Sequence, residues 1–263
     1  MSGFFQGEQR FNSMNVSGSV SANRTTEALK VNLSVNNRYS ESNFEVNEDL
    51  TVTNIQRNYG ATTLVVRSLG PRWSAGGRSS VASSTFLNQD LAVRLAPAVE
   101  YNFFPYAEST RRQLTLQYAP GISYFDYNQP TIFERTEETR FDQSLTVSLD
   151  LKQPWGSVST SLEGANYLHD FTKNRAVLFG NVDLRLVKGL SLNASGSASR
   201  LRDQLFIAAG ETTQEEILLR QRQLATSYRY FASVGLSYTF GSIFNNVVNP
   251  RFGGSSGGTV FFF

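Results

Sequence analysis

From Met14 onward, apolar residues recur at every second position over most of the chain, the period of a pleated strand with one oily and one polar face. Between Leu29, Val31, Leu33 and Val35 stand Lys30, Asn32 and Ser34. Between Leu91, Val93, Leu95, Pro97, Val99, Tyr101 and Phe103 the intervening residues include Arg94, Glu100 and Asn102. The same alternation returns in 114–124, 145–151 and 228–240. Turn chemistry punctuates it at Asn47-Glu48-Asp49, Gly70-Pro71, Gln153-Pro154-Trp155-Gly156 and Lys188-Gly189. Strands are therefore predicted near 10–24, 28–46, 50–69, 72–86, 88–104, 110–127, 141–153, 157–170, 176–187, 190–206 and 225–242. Residues 2–6 read as the surviving end of a clipped first strand. That makes about twelve, an even number as in single-chain bacterial barrels.

The fold class expected is all-β: a single antiparallel up-and-down transmembrane β-barrel over residues 1–252, followed by a Gly/Ser-rich tail with a short aromatic end at 253–263. Alternation alone does not say which face points outward, since a soluble ligand-carrying barrel has the same period. Strand number decides, because a lumen about twelve strands wide is too broad for these Val and Leu side chains to fill, whereas charged and hydroxyl groups with water suit it. Tyr39, Trp73, Tyr101, Phe103, Tyr124 and Tyr228 stand near strand ends, as interfacial aromatic belts do. Tight links alternate with the longer 128–140 and 207–224, which predicts short periplasmic turns, longer external loops and both termini on the periplasmic side. Within 207–224, Thr212 and Thr213 each have a Glu three positions later, Glu215 and Glu216, the signature of a short helix that would cap the barrel mouth.

Composition narrows the classes. Gly, Ser, Thr and Asn fill much of what the 40% hydrophobic and 13% aromatic residues leave, which favours strands and turns over a helical core. The net charge is +2, with basic and acidic residues interspersed, so no polybasic arm recommends nucleic acid as a partner. The longest apolar run, 205–209, falls far short of the ~18 residues of a membrane-spanning helix. The absence of cysteine excludes thiolate chemistry and disulfides. The first ten residues lack the basic region, apolar core and cleavage site of a signal peptide, so the chain reads as a mature or truncated form.

Gly235, Tyr238 and Phe240 resemble the β-signal recognised by the barrel-assembly machinery, although that signal usually ends a protein and about two dozen residues follow here. Three stretches carry a family resemblance: 96–114, opening Ala96-Pro-Ala-Val-Glu-Tyr-Asn102; Gln153-Pro-Trp-Gly156; and 240–252, opening Phe240-Gly-Ser-Ile-Phe244. They are similar to the C-terminal barrel domain of an uncharacterised bacterial outer-membrane family, and the likeness covers most of the chain. It implies a barrel and the outer membrane, and it brings no catalytic residues. Members are often preceded by a signal peptide and a separate N-terminal region, in keeping with a clipped first strand.

Candidate chemistry follows from parity. Lys30, Arg38, Arg67, Arg78, Arg94, Glu100, Arg111, Asp150, Lys152, Glu163, Asp183 and Arg185 are expected to face the lumen. They would line a narrow pore for a small solute, with weak anion preference from Arg78, Arg94 and Arg111, or pair off and plug it. Arg200 and Arg202, toward an outer strand end, are candidates for lipopolysaccharide phosphates against the plainer reading of rim charges. His169 beside Asp170 is the sole histidine; a hydrolase could use it, but no nucleophile motif accompanies it and a solvated polar residue is the stronger reading. Glu134, Glu137 and Glu138 match no calcium loop, and no zinc spacing, phosphate loop or dinucleotide fingerprint stands out, so neither metal nor cofactor is expected. The function expected is a non-enzymatic barrel acting as a narrow pore or as anchor for a missing N-terminal region, the alternatives being a surface hydrolase or a loop-mediated adhesin.

Overall fold

The computed structural model describes residues 1–8, 10–47, 50–209 and 225–240. Twelve strands run in sequence order, each hydrogen-bonded to the next: β1 (Ser2–Glu8), β2 (Phe11–Thr25), β3 (Leu29–Asn47), β4 (Leu50–Ser68), β5 (Trp73–Ser84), β6 (Gln89–Asn102), β7 (Arg112–Tyr127), β8 (Glu137–Gln153), β9 (Gly156–Tyr167), β10 (Asp170–Val187), β11 (Leu190–Leu201) and β12 (Tyr228–Tyr238). All ladders are antiparallel, which gives the expected up-and-down barrel architecture. Residues 2–8 do form the additional strand, paired with β2 from Ser2↔Ser17 to Glu8↔Phe11. No ladder joins β1 to β12 among the described residues.

The register sorts the two faces. Lys30 pairs with Val66, Val66 with Gly76, and Gly76 with Ala98, and all four line one interior cavity. Cavity walls that run from the end of β2 to β10 show how far the sheet curls round. On the opposite face, Val35, Leu95, Leu145, Leu162, Leu178 and Val234 all point to the exterior and are exposed. The contrast is sharp within a single strand: Leu95 is 54% exposed and its neighbour Ala96 3%. A soluble barrel would invert these, so the oily face is the outer one.

Aromatic residues mark both ends of this outer face. At one end Trp73, Tyr101 and Phe103 pack in series, with ring centroids 4.8 and 5.2 Å apart. At the other, Tyr124 pairs with Val93, and Tyr228 stacks on Tyr230. From one belt position to the other β6 spans nine residues, Val93 to Tyr101 inclusive, matching the ~9–11 residues with which a tilted strand crosses the hydrocarbon.

Connection lengths sort less cleanly than the sequence suggests. The end carrying Trp73, here the turn end, has links 26–28, 69–72, 103–111, 154–155 and 188–189. Residues 103–111 form a nine-residue link containing a 3-10 turn, Tyr106–Glu108, that folds back so that the Tyr106 N–H donates to Pro71 O at 2.8 Å. The opposite, loop end carries the long links 128–136 and 202–227 but also the tight 48–49 and 168–169. Gly189, at φ 84, supplies the left-handed residue of the 188–189 turn. Strand β8 begins at Glu137 rather than 141 because Glu137–Arg140 still pair with Ser123–Asp126. A bulge between Asp170 and Asn174 starts β10 earlier than 176. Strand β11 stops at Leu201, where the chain turns inward. The expected helix over 207–224 falls, from 210 on, outside the described residues, as do the tail 253–263 and the family-like stretch after Phe240.

Candidate functional site: the polar interior

The inner faces of β2, β3 and β4 are built from short neutral polar groups: Ser17, Ser19 and Ser21, then Asn32, Ser34 and Asn36, then Asn58 and Thr62. Arg38 stands among them and lines a cavity of roughly 500 Å³ with Ser17, Ser19, Asn36 and Asn58. Strand β11, between β10 and β12, carries the same kind of inner face, with Ser191, Asn193, Ser195, Ser197 and Ser199. No ion pair between described residues occurs here.

Strands β6 to β10 present a different wall. Arg94 on β6 reaches across β7 to Asp142 on β8, with Nη2 donating to Oδ1 at 2.5 Å and Nε at 3.1 Å. The bridged position on β7 is Gly121, where a Cβ would lie 2.8 Å from Asp142 Oδ1 and 2.9 Å from Arg94 Nη2. Glycine is thus the residue that leaves the pair its space. Ser123 Oγ donates to the second Asp142 oxygen at 2.7 Å. Arg175 on β10 donates to Glu163 at 2.9 Å and to Asp203, beyond β11, at 3.0 Å. Glu138 accepts from the Tyr127 hydroxyl and from Arg140 Nε, both at 2.7 Å.

Arg94 and Arg175 border two cavities at once. Toward the turn end lies a chamber of roughly 680 Å³, lined by Lys30, Arg78, Glu100, Gln117, Lys152 and Glu163 among others. Toward the loop end lies a smaller one of roughly 270 Å³, lined by Phe125, Tyr127, Asp142, Tyr167, Asp203 and Leu205. The two ion-paired arginines form the layer between them.

Interlocked loops cover the smaller cavity. Thr131, fully buried, bridges to Ala208; the Ile132 N–H donates to Ile207 O at 2.9 Å, and the Ala209 N–H to Pro130 O at 2.7 Å. Asn88, at φ 55, joins this cap by donating from Nδ2 to Gln129 O and accepting from the Gln129 N–H, both at 2.9 Å. Leu205, 5% exposed, and Phe206 point down into the cavity. A cap on this mouth was expected from the sequence; its described part is made by 128–132 and 203–209, and the expected helix lies, from 210 on, outside the described residues.

Of the twelve residues expected to face the lumen, ten share the inner face. Lys30, Arg38, Arg78, Arg94, Glu100, Asp150, Lys152, Glu163, Asp183 and Arg185 all sit in inner register positions. Asp150 accepts from Ser159 Oγ at 2.5 Å, and Asp183 accepts from the Asn193 amide. Arg67 does not belong to this set: it pairs with Leu29 and Ala75 on the outer face, near the turn-end belt. Leu64-Val65-Val66 is apolar on both faces and hides the parity from which Arg67 was assigned. At a strand end a long cation can snorkel to the interface. Arg111 lies in the turn-end link, exposed and ahead of β7, so it has no strand face. Asp142, Arg140 and Arg175 were missed. Asp142 shares parity with Asp150 and Lys152, and Arg175 with Asp183 and Arg185, which would have found both; Arg140 and Arg175 lie just ahead of the strand starts expected at 141 and 176.

Arg200 faces outward between Ala176 and Tyr228, and the Arg202 N–H donates to Asn174 O. Tyr238 and Phe240 stack on each other at 5.9 Å, while Gly235 pairs with Asn193 on the inner face, opposite to both. The three assembly-signal-like residues therefore do not share one face. His169 is exposed in the β9–β10 turn, 5.7 Å from the Tyr167 ring, and Asp170 Oδ1 is occupied by the Thr172 N–H and hydroxyl. Glu137 bonds to Tyr124, so Glu137 and Glu138 diverge to opposite faces. No cluster of metal-ligating side chains occurs among the described residues.

No family model and no curated protein matches the chain, so the family resemblance rests on its residues alone. Among solved structures, the NanC porin in a rhombohedral crystal form is similar over 90% of this chain and 97% of that one, at 6% identity and a TM-score of 0.42. At that score the likeness carries no argument about function.

Proposed function

We propose that this chain is an integral outer-membrane β-barrel whose interior provides a narrow, constricted passage for a small polar solute, and that it performs no catalysis. The observation that carries this reading is the inversion of ordinary burial: aliphatic side chains such as Leu95 and Val35 point outward, while the inner face borders a polar cavity of roughly 680 Å³ and a smaller one of roughly 270 Å³ that combines ion pairs with aromatic rings. The barrier between chambers consists of the Arg94–Asp142 and Arg175–Glu163 pairs rather than packed apolar groups, and such a layer narrows a lumen while keeping it polar. Lipid and lipopolysaccharide are the surroundings this reading requires, with Arg200 on the outer face at the loop end as a phosphate contact. Tyr238 and Phe240, exposed and stacked on the outer face, suit recognition by the barrel-assembly machinery. In keeping with a non-enzymatic role, Asp170 Oδ1 accepts from the Thr172 N–H and hydroxyl, and no hydrogen bond joins it to His169 among the described residues.

One observation favours a second reading, that of a closed barrel anchoring an N-terminal region: the joined segments 128–132 and 203–209 lie over the loop-end cavity, whose walls run from β5 to β10. Conductance of the refolded protein in planar bilayers separates the two. Discrete single-channel steps support the passage, and silence with full incorporation supports the anchor.

A further inference from the structure

The small cavity beneath the cap contains two polar groups that the protein leaves without partners. Gln89 is only 8% exposed and lines the cavity, yet its only recorded bond beyond the ladder is at the backbone, where its carbonyl accepts from Ser83 Oγ at 3.4 Å. Its side-chain amide takes no hydrogen bond from the described residues. Tyr167, on the inner face beside Asp142, lines the same cavity, and its hydroxyl is likewise without a hydrogen-bond partner among them. A buried amide and a phenol left open toward a common space call for a guest, either water or a ligand.

The charges around this space say what the guest is. The four charged residues in its wall are paired two and two, Arg94 with Asp142 and Arg175 with Asp203, so none offers a free charge to an ion. Phe125 and Tyr127 line the cavity as a stacked pair, with centroids 6.1 Å apart and planes 10° from parallel, and Phe206 lies in the wall as well. Aromatic faces for C–H surfaces, plus an amide and a hydroxyl for O–H groups, are the recognition chemistry of a neutral polyhydroxylated molecule. The volume, roughly 270 Å³, lies just below the ~300–1,000 Å³ of drug-sized pockets, so the ligand is small.

We infer that the cavity beneath the cap is a binding site for a small uncharged sugar or polyol, held by the Gln89 amide and the Tyr167 hydroxyl against the Phe125–Tyr127 face. This gives a solute class to the passage proposed above and rests on the interior being solute-accessible. It does not depend on conduction, and its test uses no membrane. Saturation-transfer NMR on the full chain folded in detergent would be run with D-glucose, D-ribose and D-glucuronate as probes. A neutral sugar is expected to bind, with affinity lowered about five-fold by Tyr167→Phe and by Gln89→Leu, each of which removes one hydrogen-bonding group. Heat-shifted gel migration checks that both variants are folded, and Tyr167→Phe, which deletes one oxygen, carries the test if Gln89→Leu does not fold. No binding of either neutral sugar would mean that the cavity holds only water, and the inference fails. It fails equally if both folded variants bind as the parent does, or if glucuronate binds more tightly than glucose. Absent bilayer steps with intact sugar binding would overturn the passage and leave the site standing.

Discussion

The wall formed by β2 to β4 and β11 differs from that formed by β6 to β10 although both follow the same two-residue period. The first offers mainly Ser, Asn and Thr, small groups that hydrate readily and form no ion pair among the described residues. The second offers arginines and carboxylates that meet between strands, Arg94 over Gly121 on the intervening strand to Asp142, and Arg175 to Glu163 on the adjacent strand and to Asp203 just past the other neighbour. Polar character alone therefore does not decide whether a lumen stays open. What decides is whether the polar groups are long enough, and opposite enough in charge, to meet one another. Short neutral groups leave space for water; paired long ones fill it.

Substitutions can break this contrast, and the strongest test sits on the outer surface that both walls share. Leu95→Arg places a charge on the lipid-facing side and is expected to cost about 2–4 kcal/mol, whereas Ala96→Ser on the inner face is nearly silent; urea unfolding in lipid vesicles reads the difference. Equal effects would show that Leu95 does not face acyl chains. Next comes Asp142→Ala, which leaves a half-buried Arg94 without its carboxylate and is expected to destabilise by about 2–3 kcal/mol, below the full penalty of a deeply buried pair because Arg94 retains 31% side-chain exposure. The same variant should raise single-channel conductance if the pair constricts the passage. Gly121→Ala, which drives a methyl into that pair, is expected to cost about 1–2 kcal/mol by the same unfolding assay. The smallest effect is expected from the opposite wall, where Ser34→Ala should change stability by no more than about 0.5 kcal/mol. A loss comparable to that of Asp142→Ala would erase the distinction between the walls.

Ser34 and Asp142 also illustrate how much could be read in advance. Both occupy polar positions in an alternating strand, so their inner placement follows from parity. Nothing near Asp142 in the chain announces its partner, which lies 48 residues away on a strand that is not even its neighbour. The cap is similar: Thr131 meets Ala208 across most of the molecule, and neither residue type signals the bridge. Arg67 shows the opposite failure, since three consecutive apolar residues erased the local phase and only pairing with Leu29 restored it.

The sequence by itself determined the strands, their number and, for most of them, which side is oily, because a backbone period of two writes the face directly into the order of residues. Tertiary structure alone decided which inner charges meet, which cavities survive between them and which loop closes the mouth. Those outcomes depend on register, curl and side-chain reach between segments far apart in the chain, and a local period carries no information about distance across a barrel.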